Sequence, residues 1–298
     1  MNTKKRLVDL SGYYGRLELS GNDCIDLLDR LSTNDISSLH DPGQGRLSVL
    51  TTNKGRIIDL LGIFLFEDKV LLISSIDSVS RVTEWIEFYT IMEDAQLTNV
   101  SEVSFHLRSI DNVELQKEFG ITELAVGETL SVNIAGKLCS IIKLKMGSTT
   151  VVDIIGNIAD KKAVLLKLRH GIKMIDNAEF ESLRINFGVP AYGKELSEDY
   201  NPIEAGLIDH ISFNKGCYIG QEVVARLNAY DKVQRKLVKL GWSDNSIDSC
   251  ELVADGKIIG KITSMGYGEG LGYVRRAYAI SGQVVQCNGS DVIVEVIT

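Results

Sequence analysis

Apolar and polar positions alternate with a period of two from residue 14 to residue 19, which predicts a strand. Ser20-Gly21-Asn22 ends the alternation and offers an N-cap, and Ile25, Leu28 and Leu31 follow at helical spacing. Thr33-Asn34-Asp35 reads as the exit turn of that helix. Gly43-Gln44-Gly45 breaks the pattern and marks an expected crossing into a second subdomain. Residues 46–52 and 56–66 are strand-like runs joined by Asn53-Lys54-Gly55, a hairpin signal. A third strand follows at 70–74, then a helix over 78–89 with Val79, Val82, Ile86 and Tyr89 on one face. Strands at 95–100 and 104–108 complete an α+β unit.

The second half is predicted to hold a short helix over 113–119, strands at 137–143 and 149–155, and a helix over 160–170 capped by Gly171. Lys161, Lys162, Lys167 and Arg169 form a solvated face of that helix. Another helix spans 178–187 and sets Arg184 among apolar neighbours. From residue 236 onward the strands are short, at 236–242, 257–264, 271–274, 283–287 and 291–297, with hairpin turns at Asp255-Gly256 and Asn288-Gly289. These predict a small β-barrel. Glycines at 266, 268, 270 and 272 fit bends or a close backbone approach, and lack the spacing of a dinucleotide loop.

Composition narrows the function classes. With 44% hydrophobic and 24% charged residues and only 3 prolines, the 298-residue chain reads as globular, without long linkers. A formal charge of −8 argues against extensive nucleic-acid binding, which needs clustered cations to neutralise phosphates. The five cysteines include no CxxC pair and the four histidines no i, i+4 pair, so neither a disulfide framework nor a metal site is predicted. The longest apolar stretch, residues 57–66, is too short to span a bilayer, and the basic start is not followed by an apolar signal region. A cytoplasmic monomer without membrane association is expected.

Three positions carry candidate chemistry. In Asn214-Lys215-Gly216-Cys217-Tyr218-Ile219-Gly220-Gln221-Glu222 two glycines bracket a thiol and a tyrosine ahead of residues 221–227, which read as a short amphipathic helix in preference to a strand. A helix N-terminus and Lys215 both favour a thiolate, which is a nucleophile and a soft metal ligand. The alternative is a buried cysteine acting as a small hydrophobe beside turn-forming glycines. Asp59 interrupts an apolar strand, so its carboxylate must face solvent or a cavity. Glu204, in Pro202-Ile203-Glu204-Ala205-Gly206-Leu207, stands between apolar residues. A carboxylate there either is an exposed loop acid or accepts paired hydrogen bonds from an aminopyrimidinone edge. Arg226, Lys232, Arg235, Lys236 and Lys239 form a basic concentration that is a solvated face or a receptor for an anionic tail.

Residues 215–222 resemble the signature of the YgfZ family, folate-binding proteins related to the T-protein (aminomethyltransferase) of the glycine cleavage system. Leu183-Arg184-Ile185, Gly188-Val189-Pro190-Ala191-Tyr192-Gly193-Lys194-Glu195 and residues 202–207 are similar to stretches both families share. Leu31-Ser32-Thr33-Asn34-Asp35 and Asn53-Lys54-Gly55-Arg56-Ile57-Ile58-Asp59 look like the N-terminal landmarks. The resemblance implies an α+β protein of three domains around a central cavity: 1–44 plus 116–236, an inserted unit at 45–115, and a C-terminal β-barrel at 237–298. It also implies tetrahydrofolate or a one-carbon derivative as cofactor, with Glu204, Tyr192, Arg226, Lys215 and Tyr218 binding it and Cys217 and Asp59 in catalytic roles. The function implied is a folate-dependent accessory factor for iron–sulfur enzymes, including tRNA-modifying ones, with those enzymes as partners and no direct contact with nucleic acid. Aminomethyl transfer is the alternative. T-proteins carry two adjacent acids where this chain has Asp59-Leu60, which counts against that alternative.

Overall fold

A computed structural model of the protein describes residues 5–169, 171–229, 233–243, 247 and 250–297. The first strand, β1 (Arg6–Asp9), lies inside a six-stranded sheet. Its neighbours are β7 (Ser104–Ile110), antiparallel, and β11 (Lys173–Ile175), parallel; beyond β7 come β10 (Thr149–Asn157), β9 (Lys137–Met146) and β8 (Thr129–Ile134). Helices α3 (Val113–Glu118) and α4 (Lys161–Leu168) cover its outer face, where Leu115, Val164 and Leu168 pack on Leu107, Ile141 and Ile154.

A second, five-stranded antiparallel sheet runs β3 (Gly45–Thr51), β4 (Ile57–Leu65), β5 (Val70–Ser75), β2 (Tyr14–Ser20) and β6 (Gln96–Asn99). The β3–β4 hairpin turns at the expected Asn53-Lys54-Gly55, where Gly55 takes a φ of +64°. Helix α1 (Cys24–Leu31) buries Cys24, Leu27, Leu28 and Leu31 on one side. Helix α2 (Val79–Tyr89) does the same with Val79, Val82 and Ile86, so both seal the outer face of the sheet.

The strand pairing departs from the expected domain boundaries. A break at residue 45 falls within one sheet, because β2 precedes it and pairs with β5 and β6, which follow it. Strand β7, expected in the inserted unit, pairs instead with β1 and β10. Local periodicity identifies strands but is silent on partners about a hundred residues away.

The expected barrel is present and closed. Its order is β12 (Arg235–Gly241), β15 (Glu269–Arg275), β14 (Lys257–Met265), β13 (Glu251–Ala254), β16 (Val284–Cys287) and β17 (Ser290–Val296), returning to β12. Two of the repeated glycines answer to close approach: a Cβ at Gly270 would lie 2.6 Å from Ser264 O, and one at Gly272 2.5 Å from Lys261 O. Between α5 (Asn177–Asn186) and α6 (Gln221–Ala229) the chain holds only a short 3₁₀ turn and one isolated bridge, Tyr192 with Leu196. That long irregular stretch carries most of the motifs singled out in the sequence, and irregular stretches of such length are usually functional. His170 and Lys232 lie outside the described residues.

Candidate functional site

The inner faces of the two sheets meet through Val8, Ile110, Ile142, Leu144, Met146, Phe64, Leu71 and Ile73, with Phe180 of α5 beside them. Packing is incomplete there and leaves a cavity of about 330 Å³. Apolar walls come from Leu47, Phe64, Ile73, Leu144, Met146 and Val189, and aromatic edges from Tyr13, Tyr14 and Tyr192. The charged lining comprises Asp59, Asp77, Asp153 and Glu181 facing Arg108, Lys145 and Lys194.

Asp59 belongs to the cavity wall and is only 2% exposed. It sits at a bulge, where Leu50 pairs with Asp59 but Thr51 pairs with Ile57, so strict alternation does not set its direction. One carboxylate oxygen accepts from Leu60 N at 2.8 Å; the other accepts from Ser75 N at 2.8 Å and from the Ser78 hydroxyl. Burial pushes its pKa up to about 6 despite these donors, from an ordinary value of 3.8. Asp59 is therefore an acid able to exchange a proton near neutral pH. Because the folded pKa lies above the unfolded one, the folded protein takes the proton more readily. The charge then costs stability as pH rises from about 4, with the full cost of about 3 kcal/mol present above about 6. Infrared difference spectra are expected to show a protonated carboxyl band that titrates near pH 6 and is missing from Asp59→Asn. Titration of every carboxyl near pH 4 would remove the assignment.

Two further polar clusters adjoin the cavity. Arg108 donates bidentately to Asp153, from Nε at 2.6 Å and Nη2 at 2.7 Å, and lies 5.2 Å from the centre of the Tyr14 ring. Burial works against the Asp153 carboxylate, but the charge and hydrogen bonds of Arg108 outweigh it and hold its pKa well below the usual carboxylate range. His106 Nε2 is 3.0 Å from Asp153 Oδ2 without the alignment of a hydrogen bond, and burial keeps the imidazole neutral. Arg184 donates to Glu181 from Nε (2.8 Å) and Nη2 (2.6 Å), and to Glu195 from Nη1 (3.0 Å). Burial raises the Glu181 pKa, but Arg184 and Lys194 overcome that and hold it at about 2. Arg108, Asp153 and Glu181 were not anticipated. The signal that singled out Asp59, a charge inside an apolar strand, is present at Arg108 and Asp153 as well.

The expected site residues separate into three places. Asp59 and Tyr192 share the central cavity, where burial raises the Tyr192 pKa and the nearby Asp59 charge adds to the effect. Glu204 and Arg226 instead line a second cleft between α6, the β3–β4 hairpin and the barrel. Glu204 is 6% exposed, receives Asn201 N, and stands 3.2 Å from Arg235 Nε and 3.9 Å from Arg56 Nη1. It is neither an exposed loop acid nor a lining residue of the cavity that holds Asp59. Its carboxylate is committed to two arginines.

Lys215, Cys217 and Tyr218 line neither space. The Lys215 ammonium, 1% exposed, donates to the carbonyls of Asp29 (2.6 Å), Ser32 (3.0 Å) and Asn34 (2.6 Å) and pairs with Asp29 Oδ1 at 2.9 Å. It therefore pins the motif to the end of α1, where carbonyls are left without helical partners. The ammonium expected to meet a cofactor thus has its donors turned to the chain itself. Tyr218 is buried under the Lys215 ammonium, 5.5 Å from its ring centre, and burial raises its pKa to about 12. Gly220, at φ +87°, allows an approach that no Cβ would tolerate, 2.5 Å from Thr52 O. Thr51 Oγ1 donates to Ile219 O at 2.7 Å, closing the motif on β3. Cys217 is exposed, so it is not a core hydrophobe, and α6 begins four residues later.

The fold and cavity define a class. Residues 1–108 match the family model of the GCVT N-terminal domain. A chloroplastic "putative transferase" of Arabidopsis thaliana is 30% identical over 307 residues, covering 96% of this chain and 68% of that protein. The chain belongs to the aminomethyltransferase-like, or T-protein-like, family. Among individual relatives, the aminomethyltransferase of Halalkalibacterium halodurans is 28% identical, with 89% of this chain and 75% of that protein covered. The aminomethyltransferase T of the glycine cleavage system from Bartonella henselae has the same fold: TM-score 0.83 at 20% identity, covering 99% of this chain and 85% of that one. Among the described residues no helix is long and apolar enough to cross a membrane.

Proposed function

We propose that the protein binds a tetrahydrofolate between its two sheets and serves iron–sulfur enzymes as a folate-dependent accessory factor. The observation that carries this reading is the cavity itself: in an aminomethyltransferase-like fold it presents the buried acid Asp59, not paired with a cation among the described residues, followed by Leu60. Its volume lies within the range of small-ligand sites. The apolar walls suit a flat bicyclic ring, and the Asp59 carboxyl is a polar group suited to its N–H groups. Lys145 and Lys194, exposed members of the lining, match the carboxylates of a glutamate tail. A bound tetrahydrofolate supplies a carrier for one-carbon units.

The YgfZ-like octapeptide supports the accessory role. Its thiol is exposed and stands apart from the cavity lining, which suits contact with a client protein better than contact with folate. An overall charge of −8 fits an indirect effect on tRNA through the enzymes that modify it. Aminomethyl transfer is the second reading, favoured by the aminomethyltransferase relatives and by the raised pKa of Asp59.

Calorimetry with tetrahydrofolate tests the cavity. Tyr192→Ala is expected to weaken binding at least about tenfold, or about 1.4 kcal/mol, while Arg226→Ala changes it less than about twofold. No heat of binding, or the reverse order of the two variants, would sink the reading. Methylene transfer from aminomethylated carrier protein at about 1 s⁻¹ or faster would put the second reading first.

A further inference from the structure

The second cleft, about 940 Å³ in volume, is the larger of the two spaces and takes no part in the folate reading. Its lining gathers six cations, Lys54, Arg56, Arg226, Arg235, Lys261 and Arg275, against the carboxylates of Glu204 and Glu251. That is a local excess of positive charge in a chain of net charge −8. Glu204 already lies against Arg235 and Arg56. Three parts of the fold deliver these side chains: the β3–β4 hairpin, helix α6 and the barrel, through its strands β12, β14 and β15. The concentration is therefore a product of folding, since the pairs Lys54–Arg56 and Arg226–Arg235, and the later Lys261 and Arg275, come from well-separated parts of the sequence.

We propose that this cleft binds an acidic segment of a protein partner, with apolar residues among its carboxylates. Guanidinium groups from the hairpin, α6 and the barrel suit carboxylates, which they engage through paired hydrogen bonds. Val223, Leu227 and Ile258 line the same space, and Ile258 is 53% exposed, so apolar surface alternates with charge. Single-stranded nucleic acid is disfavoured by the aromatic lining. Tyr273 is buried and stacked on Tyr200 at 3.7 Å between ring centres, leaving no ring face for a base. A phosphate site is disfavoured because α6 contributes Val223, Arg226 and Leu227, side chains from within the helix, and not its free amide end.

A fluorescein-labelled peptide of alternating glutamate and leucine serves as the probe, followed by anisotropy. Wild type is expected to bind it at about 50 mM salt and to lose at least tenfold in affinity near 500 mM, as screening requires. The double variant Lys54→Glu, Arg226→Glu changes two exposed residues and is expected to lower affinity at least about thirtyfold at low salt, with an unchanged thermal melt. The neutral pair Lys54→Gln, Arg226→Gln is expected to fall between, and serves alone if the reversed pair misfolds. A peptide with glutamine in place of glutamate should not bind. Absence of binding by wild type, equal binding by the variants, or tighter binding of a single-stranded oligonucleotide through the same two residues would each overturn the proposal. None of these measurements contains a folate, so failure here leaves the cavity reading standing.

Discussion

Arg184→Ala is expected to lower the free energy of unfolding by about 3–5 kcal/mol, the cost of leaving a buried ion-pair partner uncompensated. Arg184 is 2% exposed and Glu195 fully buried, so water has little access to the abandoned carboxylate. The same guanidinium donates to Val189 O at 2.6 Å and to Ser264 Oγ at 2.7 Å. It thus joins α5, the irregular stretch and the barrel strand β14. Ser264 Oγ in turn donates to Glu195 Oε1 at 2.6 Å, and Tyr273 OH to Glu195 O at 2.8 Å, which closes the clasp. Urea melts measure the loss. Arg184→Lys keeps the charge but not the planar fork, and should recover only part of it. A loss below about 1 kcal/mol for the alanine variant would mean that apolar packing alone seats the barrel.

Cys217→Ser is expected to leave stability and tetrahydrofolate affinity unchanged and to abolish rescue of iron–sulfur enzyme activity in cells lacking the protein. The side chain is exposed and lines neither the cavity nor the cleft, so a near-isosteric hydroxyl disturbs no packing. A hydroxyl is barely ionised at neutral pH and is a poor soft-metal ligand, so any chemistry that needs sulfur stops. Lys215 and Gly220 anchor the motif independently of the thiol, which separates this variant from an unfolded one. Full rescue by the serine variant would confine the chemistry of the protein to the central cavity.

The elements with strong local patterns were legible before any coordinates. Helices α1 and α2 follow from apolar spacing, the β3–β4 hairpin from Asn53-Lys54-Gly55, and the barrel from short strands and Asn-Gly or Asp-Gly turns. Each is decided by residues only a few positions apart, where backbone preference and one buried face suffice. The family-like fold followed from the motifs, and Asp59 from the cost of a carboxylate in an apolar strand. Other features depend on distant partners. The parallel pairing of β1 with β11, and the antiparallel pairing of β2 with β5 and β6 across the expected boundary, are choices among strands that look alike in sequence. Asp59 enters the cavity because a bulge overrides alternation, and it is held there by Ser75 and Ser78 of the next segment. Lys215 stands two positions from Cys217, yet its charge goes to carbonyls near residues 29–34. Glu204 suits an aminopyrimidinone edge by chemistry alone, but Arg56 and Arg235 reach it first. A side chain's chemical type is written at its own position; the partner that uses that chemistry is set by which surfaces the folded chain brings within hydrogen-bond distance.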